Sequence, residues 1–272
     1  MRDQQQRFGF GKNWESFIKR HFSDERVTLA GRHLLDFLSL SSLGGQSFLD
    51  IGCGSGLHSL AALRSGASSV VSFDYDPMAV KITKRLKELE HNPPHWEVMQ
   101  GSILDNAFLD SLRPADIVYS WGVLHHTGDM WQAMNNSAKL MKSDGLFYVA
   151  LYDYDIQVNP PAEFWLDVKR RYNRNSWLGK KRMEMWYIYN FTLDRKLRNI
   201  LRLIGRITDY KRARGMAFYT DVVDWLGGWP MEFAKRRDVR DWAVKADLEM
   251  VKSKTGEANS EYLFKRIKPT SV

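Results

Sequence analysis

Polar and apolar positions follow two different periods along residues 43–152, and the switches between them mark out the elements. Short apolar or β-branched runs at 47–51, 69–73, 95–99, 115–120 and 145–152 read as buried strands. Residues 57–65, 78–90 and 129–141 carry apolar side chains at helical spacing, and Pro77 suits the first position of the second helix. Strands alternating with helices in this way predict a doubly wound α/β fold, a parallel sheet covered by helices on both faces. Right-handed crossovers leave few topologies for it.

Two more strand-like runs, 248–252 and 261–267, flank a loop with glycine, asparagine and serine. They predict an antiparallel hairpin that completes a mostly parallel seven-stranded sheet. Between the fifth strand and that hairpin the alternation stops. Residues there are aromatic, basic and mainly helical in pattern: Leu193, Leu197, Ile200, Leu201 and Ile204 share one face, and Arg195, Arg198, Arg202 and Arg206 another. The expected division is a helical arm over 1–42, a core over 43–152, a helical cap over 153–240 and the closing hairpin over 241–272.

Composition adds bounds. A chain of 272 residues, 44% hydrophobic and 26% charged, is ordinary for one large globular domain with an elaboration. No apolar run approaches the roughly 18 residues of a membrane span, and residues 1–7 do not resemble a signal peptide. A single cysteine, Cys53, excludes an intramolecular disulfide and a cysteine-based zinc site, and fits a cytoplasmic location. The net charge is +8, but residues 169–215 hold 15 Lys and Arg against Glu184, Asp194 and Asp209. That segment carries +12 and the remainder −4, so anionic partners concern the cap alone.

The sharpest chemical signal is Asp50-Ile51-Gly52-Cys53-Gly54-Ser55-Gly56, placed between a strand and a helix. Glycines serve where a backbone turns tightly and a ligand approaches it closely. Such a loop lies beyond the carboxyl ends of the strands, where open α/β sheets bind ligands. Asp74 ends the second strand, where a carboxylate can accept hydrogen bonds from both ribose hydroxyls of an adenosine. A nicotinamide-binding loop would place its third glycine at position 57, which is Leu. The G-x-G-x-G spacing instead favours a ligand without a pyrophosphate.

Residues 48–56 (FLDIGCGSG) followed by 71–77 (VSFDYDP) resemble motifs I and II of the class I S-adenosylmethionine (SAM) methyltransferases, and the likeness continues through 101–105 and 115–126. The resemblance implies SAM as cofactor, with Asp50, Gly52, Gly54 and Gly56 at its methionine part and Asp74 on the ribose. It places Tyr75 and Ser102-Ile103 about the adenine, and Ser120 and Trp121 in the same binding set. The family commonly has Asp where this chain has Ser102, so that contact to the adenine amine departs from the pattern.

For the acceptor, methyl transfer chiefly demands alignment, and an alcohol also needs its proton removed as attack proceeds. His125 and His126 follow the fourth strand, and their Leu-His-His sequence resembles the ubiquinone/menaquinone-type and small-molecule O-methyltransferases. Either is a candidate base, His126 slightly favoured, and one of the pair reads equally as a cap on the next helix or a packing residue. Asp153 is a further candidate that reads equally as a loop carboxylate in solvent. The Asn-Pro-Pro tripeptides at 92–94 and 159–161 are not after the fourth strand, where amine methyltransferases carry theirs, and read as turns.

Trp177, Trp186, Tyr187, Tyr189, Phe191 and Tyr210 either line an acceptor pocket or form the cap's own core. Residues 214–216 and 224–230 resemble a segment of bacterial small-molecule methyltransferases. Residues 8–14, with glycines between aromatics, suit a lid over the cofactor or docking at the sheet edge. The expected function is SAM-dependent O-methylation of a small-molecule hydroxyl: a sugar, phenol, quinol or natural product, with an anionic or lipid-linked acceptor suiting the basic cap. Peripheral membrane contact is a further reading of that cap, and a solvated helix face is the plainest one. RNA methylation through it, and a catalytically silent SAM-binding partner protein, stand as alternatives.

Overall fold

The computed structural model describes residues 22–193, 195–196 and 218–267, without the side chains of Phe218, Thr220 and Asp221. The aromatic arm at 8–14, most of the arginine face, Tyr210 and the 214–216 segment lie outside these residues.

Seven strands form one sheet in the order β3-β2-β1-β4-β5-β7-β6. They are β1 (Ser47–Ile51), β2 (Ser69–Asp74), β3 (Trp96–Gln100), β4 (Ala115–Trp121), β5 (Met141–Tyr152), β6 (Leu248–Thr255) and β7 (Asn259–Arg266). The first five run parallel; β7 lies antiparallel between β5 and β6. Strand order reverses between β1 and β4, so a crevice opens beyond their carboxyl ends.

The helices are α1 (Asp24–Leu38), α2 (Leu57–Arg64), α3 (Pro77–Leu89), α4 (Asn106–Leu109), α5 (Met130–Lys139), α6 (Ala162–Arg174), α7 (Trp177–Tyr187), α8 (Phe218–Gly227) and α9 (Arg236–Lys245). Local chemistry sets their starts. Asp76 accepts from the Met78 amide at 2.8 Å with Pro77 behind it, and Asp129 caps α5 by accepting from Gln132 N at 3.1 Å.

Neighbouring strand residues feed opposite cores. Phe48, Val70, Ile117 and Tyr148 pack with α1 and α2, while Leu49, Phe73, Val118 and Phe147 pack with α5 and α9. A third cluster, Trp165, Val168, Tyr172, Val222 and Leu226, belongs to α6 and α8.

Three details differ from the sequence expectation. Strand β5 starts at Met141, which pairs with Ala115 across an irregularity, because Gly145 lets the chain pass close to the Ala115 and Asp116 carbonyls. The short α4 is held by Asp105, which accepts from the Ala107 and Phe108 amides. Helix α9 crosses residue 240 and packs on β6 through the main core. Among the described residues, no helix is long and apolar enough to cross a membrane.

Candidate active site

A cavity of about 450 Å³ opens beyond β1, β2 and β4. Its floor is the glycine loop. Gly52 and Gly56 both have φ +76, and side chains there have no room: a Cβ on Gly52 overlaps Val123, and one on Gly56 comes within 2.8 Å of Thr83. The Gly52 and Cys53 amides donate to the Phe73 carbonyl at 2.8 and 3.1 Å, tying the loop to β2.

Asp74 stands on the wall. Its Oδ2 accepts from Gly54 N and its Oδ1 from Asp76 N, both at 2.9 Å, so the carboxylate is oriented before any ligand arrives. Burial pushes its pKa up to about 6, against the opposing effect of those amide bonds. Tyr75, Asp76, Ala79, Gly101, Ser102 and Ile103 continue this end of the cavity, and Ser102 Oγ accepts from Leu104 N at 3.2 Å.

Asp50 and Ser120 are placed otherwise. Neither lines the cavity; both are buried beneath it. Ser120 Oγ donates to the Ile51 carbonyl at 3.1 Å. Asp50 ends a donor chain: Trp96 Nε1 donates to Ser72, Ser72 to Ser59, and Ser59 to Asp50 Oδ2 at 2.8, 2.7 and 2.5 Å. Burial raises the Asp50 pKa to about 7. These two residues brace the loop from beneath the cavity.

The other end of the cavity is bounded by Trp121, His126, Thr127, Tyr152, Asp224 and Trp229. His126 follows β4 in a turn of 3₁₀ helix, 124–126. Its Nδ1 lies 2.8 Å from the Pro230 carbonyl, which can only accept, so Nδ1 carries the proton and Nε2 the lone pair. Burial lowers its pKa to about 4, so the ring is neutral at pH 7.

His125 does not reach the cavity. It is buried against Tyr152, with ring centroids 4.3 Å apart, and its Nδ1 accepts from Tyr152 N at 3.3 Å. Its neutral ring then carries the proton on Nε2, which has no partner among the described residues.

Asp153 is not a solvent carboxylate. It is 0% exposed and absent from the cavity lining. Oδ2 accepts from Arg236 Nε at 2.7 Å and from Ser260, and Oδ1 accepts from Asp155 N at 2.8 Å. Its geometry is that of a strut joining the end of β5 to α9 and β7.

The cap aromatics also sort themselves. Tyr187 and Phe191 pack around Trp165 in the cap core, and Trp177, Trp186 and Tyr189 are exposed. None of these lines the cavity. The cap instead contributes Asp224 and Trp229, from the 224–230 segment. Tyr152, at the end of β5, and Val123 were not expected at the site. The overlap of Val123 with a side chain at Gly52 was the available hint, legible only in three dimensions.

A sequence model described as a methyltransferase domain matches residues 21–205, more than half of the chain. Ribosomal protein L11 methyltransferase of Acinetobacter baumannii (strain SDF) is 35% identical over 125 residues, 44% of this chain and 40% of that protein. The matched region thus spans well under half the length of that relative. Among solved structures, magnesium protoporphyrin IX methyltransferase from Synechocystis with bound SAH superposes with a TM-score of 0.55 at 12% identity, covering 94% of each chain. PKMT2 from Rickettsia typhi, in complex with AdoHcy, gives a TM-score of 0.58 at 15% identity, covering 91% of this chain and 53% of that one. At these identities the structural likeness is one of fold. Sheet order and family match agree: the chain belongs to the methyltransferase-domain family.

Proposed function

We propose that the chain is a SAM-dependent methyltransferase acting on the hydroxyl of a small molecule. The cofactor half rests on one observation, the Asp74 carboxylate held by Gly54 N beside a loop with no room for side chains. Two acceptor oxygens at fixed orientation suit the vicinal hydroxyls of a ribose, and the exposed ring of Tyr75 suits an adenine face. The cavity volume is in the range of cofactor sites. When bound, SAM supplies an electrophilic methyl on a sulfonium.

The acceptor half rests on His126. Its Nε2 lone pair belongs to a ring fixed by Pro230 at the cap end of the cavity, where an acceptor would meet the methyl. With a sulfonium donor bound, the methyl would leave sulfur for the acceptor oxygen and the thioether would depart, while His126 Nε2 would take the hydroxyl proton and later return it to water. Trp121, Tyr152 and Trp229 line this end with mostly apolar surface. Phenols, quinols and sugar hydroxyls fit this chemistry, and a cytoplasmic setting fits the lone cysteine.

Turnover with methyl-labelled SAM over a panel of hydroxylated acceptors, RNA and ribosomal protein tests the reading. Label on an oxygen of a small acceptor supports it. Label confined to RNA or to protein nitrogen defeats the acceptor half and leaves the cofactor half standing.

A further inference from the structure

Trp121 lines the acceptor end of the cavity with 41% of its surface exposed, yet it is tied to the buried face of the sheet. In register, Trp121 of β4 pairs with Ala150 of β5, and Ala150 with Glu261 of β7, so the three share one face. Ala150 leaves the middle of that row without a large side chain. Tyr148, two positions back on the same face, reaches across it. Its Oη donates to Glu261 Oε2, and the Trp121 indole N–H acts as a donor toward the same Tyr148 oxygen.

The bridging ring is itself held. Tyr148 is fully buried, stacked on Phe37 of α1 with centroids 4.3 Å apart and met edge-on by Tyr119 at 5.1 Å. Burial, with Glu261 beside it, pushes the Tyr148 pKa up, so the phenol keeps a proton to donate. Glu261 is 7% exposed and also meets His33 Nε2 at 3.7 Å. A carboxylate buried this far costs stability that an apolar pair would not. What the chain gains is an indole of fixed orientation on the cavity wall.

There is room against that indole. The next residue, Gly122, also lines the cavity, and a side chain on it would meet nothing within 4 Å. Tyr152 and Trp229 add two more aromatic faces at this end. Donors here are already engaged: Thr127 Oγ1 donates to the Leu124 carbonyl at 2.7 Å, and His126 Nδ1 to Pro230. A polyol needs many hydrogen-bonding partners, whereas a flat ring with one reacting hydroxyl chiefly needs faces to stack on.

We propose that Tyr148 and Glu261 are positioning residues, which hold Trp121 as the platform on which a flat aromatic ring of the acceptor stacks with its hydroxyl toward His126. This narrows the acceptor to phenols and quinols, and it rests on His126 marking the acceptor end of a SAM site. Pre-orienting the platform removes an ordering cost that the acceptor would otherwise meet on binding.

The test is a titration of the full, nitrogen-labelled chain loaded with SAH, using naphthol as the phenol and methyl glucoside as the polyol. It reads probe affinity and the tryptophan indole N–H signals, the Trp121 signal being the one that Trp121→Ala removes. That signal should move with naphthol and stay in place with methyl glucoside, and Trp121→Ala should weaken naphthol binding about tenfold. Tyr148→Phe should displace the Trp121 signal before any probe is added and weaken naphthol binding at least about threefold. Glu261→Gln, which still accepts from Tyr148, should stay within about twofold of wild type, and Glu261→Ala should resemble Tyr148→Phe. If Tyr148→Phe does not fold, the two Glu261 variants carry the comparison. Variants that melt lower but keep the Trp121 signal and naphthol affinity would show a purely structural pair and overturn the proposal. So would equal binding of the two probes, no binding of naphthol to the SAH-loaded chain, or undiminished binding by Trp121→Ala. Failure of the wild type to bind SAH is distinct: it removes the cofactor reading, and this inference with it.

Discussion

The imidazole of His126 donates from Nδ1 to the main-chain carbonyl of Pro230 at 2.8 Å, across 104 positions of sequence. This bond joins the end of β4 to the segment leaving the cap. It is reinforced nearby: Glu232 N donates to the His125 carbonyl at 2.8 Å, and Met130 N donates to Glu232 Oε1 at 2.9 Å. The tautomer of His126 is therefore set by the fold.

The adjacent histidines should behave differently. His126→Ala is expected to lower kcat by roughly 10²–10⁴, with SAM affinity changed little, because it removes a proton acceptor and not a cofactor contact. His125→Ala should act on stability, since the ring is buried away from the cavity. Steady-state kinetics beside thermal melts separates the two. Equal kinetic loss in both, with equal melts, would remove the assignment.

Asp153 offers a contrast. Replacing it by Ala strands the Arg236 guanidinium and the Ser260 hydroxyl, and should cost roughly 2–4 kcal/mol by chemical denaturation. The value sits below that of a fully buried pair because Arg236 keeps 36% of its side chain in solvent. SAM affinity of the folded fraction should be unchanged.

Asp50 should show itself through pH. Its pKa rises on folding from 3.8 to about 7, so the native state holds its proton more tightly than the unfolded chain. Stability from this group is complete below the unfolded value and is lost as pH rises through about 7. Asp50→Asn, which still accepts from Ser59, should flatten that part of the stability profile and melt no lower than wild type above neutral pH. Asp50→Ala leaves the Ser59 donor unsatisfied and should cost about 1–3 kcal/mol or more at acid pH, a difference from wild type that shrinks as pH rises through about 7.

Legibility followed the range of the interactions. The glycine loop, Asp74 and the alternation of strands and helices were readable because β1, the loop and β2 are consecutive, and backbone sterics and a fixed spacing determine them. At the acceptor end only Trp121 and His126 were, from their place after the fourth strand. Asp224 and Trp229 reach the cavity only after the cap has folded back. Asp153 read as a loop acid because Arg236, its partner 83 positions away, gives no local pattern. The cap aromatics were ambiguous for the same reason: Phe191 is a core residue because of Trp165, and Trp177 is exposed because nothing described packs over it. Asp50 belongs to a motif that suggests contact with a ligand, yet the pleat turns its side chain to the buried Ser59.

The central claim is that Asp74 receives the ribose of SAM. Calorimetric titration of SAM into wild type and Asp74→Asn, repeated from neutral to acid pH, tests it most directly. Wild type should bind, and its affinity should fall as pH drops through about 6, where the carboxylate takes up a proton. Asp74→Asn should bind at least about tenfold more weakly, having lost charge-assisted hydrogen bonds, and show little of that pH dependence. Equal affinity in the two proteins, or no binding of SAM to wild type, would contradict the account.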